Sequence, residues 1–322
     1  MFALTLEEFG GADALHWREI PDPRLEPGFA LVRIKAAGLN FADIYRRKGN
    51  YHMDAIPPWV LGYEGAGEIV ALAGDNLQGF RIGTRVGFAD APRANAEIVA
   101  IPLDKLIPLP DDIGFDVAAS LLLQGLTAQY LVSDSYNIRG GEWALVHAAA
   151  GGVGLLLTQM LAARGAKVIA LASSPEKRAA ASAAGALHSI CYEGDWSAHV
   201  IELSGHGVDV VYESVGSTLP ESLAATRTGG AIIFYGFAGG NPAPIDPRIL
   251  MDRSLTITGG DLWNVLTGPE ERRRRAATLF AMVQSEKIKT TIAARIPMQN
   301  GAEAHRLLES RGIIGKVILT LD

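Results

Sequence analysis

WALVHAAAGGVGLLLTQMLAARG, residues 143–165, carries a short apolar segment straight into Gly151, Gly152 and Gly154 and then into an apolar helical pattern. A buried strand that turns on glycines into a helix is the context a dinucleotide-binding fingerprint requires. Glycines there permit the turn, the approach of a pyrophosphate to the backbone and close packing of helix on strand, while the helix N-terminus attracts phosphate. Ala149 stands where the usual G-x-G-x-x-G has its first glycine. Ala150, Gly151, Gly152, Val153 and Gly154 are therefore candidate phosphate-binding residues, the alternative being a glycine turn that serves packing alone.

The next segment, KVIALASSPEKR (167–178), bears on which dinucleotide. Selection of the unphosphorylated cofactor usually places an acid about 20 residues past the glycines, on the ribose 2′-hydroxyl. Here the strand end offers Ser173 and Ser174, with Lys177 and Arg178 just beyond. Hydroxyls and two cations suit a 2′-phosphate, so NADPH is expected over NADH. Taken singly, each cation could equally face solvent on a helix.

Outward from this segment, apolar runs alternate with helix-like stretches: KVIALA, then PEKRAAASAAG, then VDVVYES, LPESLAATRTG, GAIIFYG and LTITGG. Near-continuous apolar strands separated by helices are the pattern of a parallel sheet covered on both faces, a doubly wound α/β domain. The first 120 residues read differently, as short alternating runs broken by glycine and proline: ALVRIKAAG, EGAGEIVALAG, TRVGFAD and AEIVAIP. That is a small β-rich unit with tight turns. After a helix candidate at about 269–286, the runs TIAARIPM and GKVILTLD resemble the first region again. The expected boundaries are 1–121, 122–264 and 265–322, the last returning to the first.

Composition narrows the function classes. Glycine occurs 36 times, against about 23 at the usual share of about 7%. The single cysteine, Cys191, excludes an intrachain disulfide and a four-thiolate zinc site. A net charge of −6 argues against nucleic acid or an anionic membrane as main partner and favours a small molecule. The N-terminal MFALTLEEFGGADAL lacks a basic region leading into an apolar run, and no stretch approaches 18 uninterrupted apolar residues. A soluble protein of a reducing cytoplasm is expected. Arg272 to Arg275, after Glu270 and Glu271, read as a solvated helix face with acids in the first turn.

Together with NFADIYRRKGNY (40–51), LGYEGAGEIV (61–70), LLQGLTAQYL (122–131) and VVYESVG (210–216), the fingerprint resembles the medium-chain dehydrogenase/reductase superfamily, and within it the quinone oxidoreductases that include zeta-crystallin. The resemblance runs from FGGADAL to AHRLLESRGIIGKVIL, essentially the whole chain. It implies a GroES-like catalytic domain, closed by the C-terminus, beside a Rossmann domain, with the active site between them. Zinc-dependent members place a cysteine where Asn40 stands and a histidine in a G-H-E where this chain has Gly62-Tyr63-Glu64. With those ligands missing, no zinc is expected. A structural role for Glu64 and Asp43 is likewise expected over one as oxygen ligands.

Reduction of an isolated carbonyl builds alkoxide charge, for which zinc is the usual Lewis acid. Conjugated acceptors, quinones and α,β-unsaturated carbonyls, spread that charge so that hydroxyls and amides suffice. The resemblance puts Tyr45, Tyr51 and Asn40 on the substrate side of the nicotinamide, with Tyr51 as proton donor or as a ring that stacks on substrate. It also implies that Asn40 and Thr127 lie near the nicotinamide and its ribose, and Tyr192 near the adenine and 2′-phosphate. Val215, Gly236 and Phe237 sit at strand ends, where ligands cross a parallel sheet, and Lys316 could reach the cofactor. His147 and His188 read as core or surface residues. FADAPRANA (88–96) and Trp263, in GGDLWNVLT, depart from better-known members and bear on substrate size. Enoyl thioester or enal reduction is the competing activity, and a non-catalytic, crystallin- or RNA-binding-like role the competing class. A homodimer through the sheet edge near LTITGG is what the resemblance implies.

Overall fold

The computed structural model describes residues 1–51, 56–74 and 78–321. By internal contacts the chain divides into two compact units: residues 1–123, 266–281 and 290–322, and residues 124–265 with 282–289. The fold class read from the alternation is the one observed.

In the second unit six strands form one sheet, in the spatial order His188–Ile190, Lys167–Leu171, Trp143–Val146, Val208–Glu213, Thr226–Phe234, Thr256–Gly259. Every neighbouring pair is parallel. Numbered along the chain the order is 3-2-1-4-5-6, which reverses direction beside Trp143–Val146 and so leaves the crevice that binds dinucleotides in such sheets. The fourth strand, Val208–Glu213, is buried at every position, as an apolar run covered on both faces must be. Leu145, Ile169, Val211 and Ile232 form one core cluster with Trp196, Leu219 and Leu223 from the covering helices.

In the first unit the long strand Phe29–Leu39 is central. It pairs antiparallel with Gly65–Leu72, Ile98–Pro102 and the C-terminal strand Lys316–Thr320, to which Ile292–Pro297 adds in parallel. A separate three-stranded sheet joins Leu15–Glu19, Phe2–Leu6 and Trp59–Val60.

One expectation is corrected. The Arg272–Arg275 run is not a solvated face: Arg272 and Arg275 are 3% and 7% exposed. Positions 272, 275, 276 and 279 of the helix Pro269–Gln284 share one side at helical spacing, and that side packs inward. Arg272 donates to Asp90 Oδ2 at 2.7 Å and to the Asp104 carbonyl at 2.8 Å. Phe115–Ser135 is long and apolar enough to cross a membrane by length and composition, and 78% of its most apolar window is buried inside the protein.

Candidate nucleotide and substrate site

The nucleotide half is built at the carboxyl ends of the parallel strands. After Trp143–Val146 the chain turns through Ala148, held at φ 47°, and enters the helix Gly152–Ala163 with Gly151 as N-cap. Backbone packing requires a glycine at 154, while at 152 it is the Gln124 side chain that stands close. A Cβ on Gly154 would lie 2.4 Å from the Ala148 carbonyl oxygen and 2.7 Å from Ala149 Cα, and one on Gly152 would lie 1.8 Å from Gln124 Oε1. Gly151, Gly152 and Val153 are partly open to solvent, so the first amides of this helix are available to phosphate oxygens.

Past the second strand, Ser173 is exposed and Ser174 caps the helix Pro175–Ala183, accepting from Lys177 N at 3.3 Å. The Ser174 hydroxyl donates to Glu176 at 2.7 Å, which holds that exposed carboxyl below its usual range. Lys177 and Arg178 are half-buried at the start of the same helix. Thr127, 9% exposed, lies in the helix Phe115–Tyr130. The loops after the fourth and fifth strands are stitched together: Ala238 N and Gly239 N donate to the Ser214 and Val215 carbonyls at 3.0 and 2.7 Å. Val215, Gly236 and Phe237 are thereby brought onto neighbouring strand ends.

Tyr192 is turned inward. Its hydroxyl accepts from Ala148 N at 2.8 Å and faces His147 Nδ1 at 3.4 Å. His147, fully buried, is bridged through Ser222 to Glu213. Sequence reasoning missed this cluster, although a glutamate closing the fully buried strand VDVVYE was the signal, since a buried acid needs partners.

The substrate half is built on Asn40, which precedes the helix Phe41–Arg47. Its Nδ2 donates to Glu64 Oε2 at 2.9 Å and its Oδ1 accepts from Lys316 Nζ at 2.7 Å. Lys316 Nζ also lies 2.6 Å from Glu64 Oε2, and all three residues are at most 5% exposed. The amide of Asn40 is thus fixed in rotation, and the Lys316 ammonium is engaged beneath it. Burial pushes the lysine below its usual pKa against the pull of Glu64. Glu64 Oε1 in turn accepts from Leu123 N at 2.7 Å. Gly38 makes room for the cluster: a Cβ there would come within 2.2 Å of Glu64 Oε2 and 2.3 Å of the Ala119 carbonyl.

Tyr45 and Tyr51 meet edge to face, with centroids 6.3 Å apart. The buried Arg46 guanidinium, unremarked in the sequence, lies 5.0 Å from the Tyr51 ring centre and 3.6 Å from that of Tyr63. A cation over both rings fixes their planes. Asp43 Oδ2 accepts from Asn40 N at 2.9 Å and Oδ1 lies 3.5 Å from Arg46; burial raises the Asp43 carboxyl pKa.

Zinc does not fit this donor set. Positions 40 and 63 carry an amide and a phenol, and the cation against Asn40 and Glu64 is an ammonium. Among the described residues no three His, Cys, Asp or Glu side chains gather as metal ligands.

Two family models match: the alcohol dehydrogenase GroES-like domain over residues 26–139 and the zinc-binding dehydrogenase domain over residues 152–280. A quinone oxidoreductase of Pseudomonas aeruginosa is 38% identical over 97% of both chains. A 2-haloacrylate reductase of a Burkholderia species is 34% identical over 99% of this chain and 98% of its own. The crystal structure of the Escherichia coli quinone oxidoreductase complexed with NADPH superposes with a TM-score of 0.96, at 34% identity and complete coverage of both chains. With the parallel sheet, the glycine turn and the full-length likeness all in place, the chain belongs to the quinone oxidoreductase family of the medium-chain dehydrogenase/reductase superfamily.

Proposed function

We propose that the protein is an NADPH-dependent reductase of quinones or other conjugated carbonyls. The observation that carries this reading is the chemistry around Asn40: a fixed amide, two phenols and a lysine–glutamate pair, which suit charge delocalised over a conjugated acceptor better than a localised alkoxide.

NADPH fits the nucleotide half. Ala150, Gly151, Gly152, Val153 and Gly154 would hold its pyrophosphate, Ser173, Ser174, Lys177, Arg178 and Tyr192 its phosphorylated adenosine, and Thr127, Val215, Gly236 and Phe237 its nicotinamide end. When bound it supplies hydride. Asn40, its Nδ2 held by Glu64 and the Gly38 carbonyl and its Oδ1 by Lys316, would be a fixed polar wall beside the nicotinamide. Tyr45 and Tyr51 offer phenol protons, and the Arg46 guanidinium over Tyr51 favours the phenolate left after donation.

A second reading, reduction of an enal or enoyl thioester double bond, is favoured by that same Arg46–Tyr51 contact, because protonation at carbon needs a placed acid. Steady-state assays with a simple quinone, an enal, an enoyl thioester and a secondary alcohol separate these. Turnover of the secondary alcohol alone would overturn both. Assembly as a homodimer through the edge strand Thr256–Gly259 is part of the proposal, and light scattering that returns the monomer mass at micromolar concentration would remove it.

A further inference from the structure

Glu213, Ser222 and His147 are all completely buried and come from the end of the fourth strand, the following helix and the turn that leads to the glycines. None of them can touch a bound molecule directly. The Glu213 carboxylate accepts from four donors: Val215 N at 2.7 Å and Gly216 N at 3.0 Å on Oε1, Ser222 Oγ at 2.6 Å on Oε2, and Thr218 Oγ1 on both. Burial alone would raise its pKa; the His147 ring and these donors more than reverse that. The Ser222 proton is committed to Glu213, so the 2.9 Å contact with His147 Nε2 must run from an Nε2–H to the Ser222 oxygen. Burial holds the His147 pKa down against the pull of Glu213, whose Oε2 lies 3.4 Å from Nε2. On the other side of the ring Nδ1 lies 3.4 Å from the Tyr192 hydroxyl, which accepts from Ala148 N.

Every group in the series lies within hydrogen-bond distance of the next. It runs from Ala148 N through Tyr192, His147 and Ser222 to Glu213, and it ends on the amides of Val215 and Gly216. It ties the turn before the glycines to the loop after the fourth strand. Two backbone segments that flank the crevice of the sheet are thereby set by side chains lying behind them.

We propose that His147, Ser222 and Glu213 are positioning residues for the nucleotide, and that through them Tyr192 couples the adenosine end of the site to the Val215–Gly216 loop. The inference rests on NADPH as the ligand. Severing the series frees the two loops separately, so affinity falls while the substrate-side groups, all in the other unit, keep their chemistry.

The test is a double-mutant cycle read by nucleotide fluorescence titration, with Ser222→Ala and Tyr192→Phe made singly and together. Ser222→Ala is expected to raise the NADPH Kd about tenfold and to leave kcat at saturating NADPH within about twofold. The double variant is expected to fall short of the product of the two single effects, because either change breaks the same series. Thr218→Val, at a half-buried position, withdraws one donor from Glu213 and should weaken NADPH in the same direction, even if Ser222→Ala fails to fold by circular dichroism. Wild-type affinity in the folded variants, multiplicative single effects, or a loss of kcat at unchanged Kd would each overturn the inference. Failure of the unaltered protein to bind NADPH would overturn the proposed function together with it, whereas binding indifferent to both substitutions overturns this inference alone.

Discussion

The candidate sites of the two units bury polarity by opposite means. In the catalytic unit the group around Asn40 is ionic, with Lys316, Glu64, Asp43 and Arg46 all buried within one cluster. In the second unit one carboxylate, Glu213, is surrounded by hydroxyls, amides and an imidazole. A full charge stripped of its partner has nowhere to go in a dry interior, whereas a neutral donor deprived of its acceptor loses one bond. The first arrangement is therefore brittle towards substitution and the second is graded. That difference matches their proposed tasks, since developing charge calls for preorganised polar groups while a loop needs only its place.

The contrast is sharpest at Lys316. Lys316→Met leaves Glu64 charged and unpaired, and should lower stability by about 3–5 kcal/mol, read from the midpoint of urea unfolding. Lys316→Met combined with Glu64→Gln should recover at least half of that loss. A single variant as stable as the parent would break the ionic account.

A second ionic site of the same unit gives a pH test. His305, fully buried beside Arg47 at 3.2 Å, has its pKa pushed down to about 3, first by burial and then by that guanidinium. Its folded pKa lies below the unfolded value of about 6.5, so the unfolded chain takes up the proton more readily. Stability from this group is complete above about pH 6.5 and falls with acidification towards pH 3, by about 2 kcal/mol at pH 5. His305→Gln should flatten the acid limb of the melting temperature against pH; an unchanged slope would place the sensitivity elsewhere, and His147, also depressed by burial, is the next group to replace.

On the nucleotide side the expected effects move from stability to binding. Gly154→Ala forces a methyl against the Ala148 and Ala149 backbone, and should weaken NADPH about tenfold or more. Lys177→Ala should weaken NADPH about tenfold and leave NADH unchanged. Equal effects on the two nucleotides would remove Lys177 from the 2′-phosphate. Smallest is Ser174→Ala, which removes a helix cap and should cost about 1 kcal/mol in thermal stability.

The parallel sheet was legible because its central strands are largely apolar and are separated by helices, a pattern that composition alone cannot imitate. The glycine turn was legible for a related reason, since Gly154 answers a steric demand from Ala148 and Ala149 a few residues before it. What stayed hidden depends on long separations: His147 meets Ser222 across 75 residues, and Lys316 meets Asn40 across 276. Only strand order brings these together, and no local pattern encodes it. The Arg272–Arg275 run misled for the opposite reason, because four like charges in a row conceal that two of them share a helix face with Ala276 and Leu279.

The hydrogen-bonded series behind the nucleotide loops also has an evolutionary consequence. A lineage that replaces Ser222 by alanine takes one donor from Glu213 and leaves His147 Nε2 with Glu213 Oε2, 3.4 Å away, as its remaining partner. An apolar residue at 147, an amide at 213, or both, would relieve that strain. Such positions drift as a set, and replacements at one should be found only in the company of replacements at the others. Within the family, the triplet 147, 213 and 222 should therefore change in blocks, while the exposed Ser173 varies independently of all three.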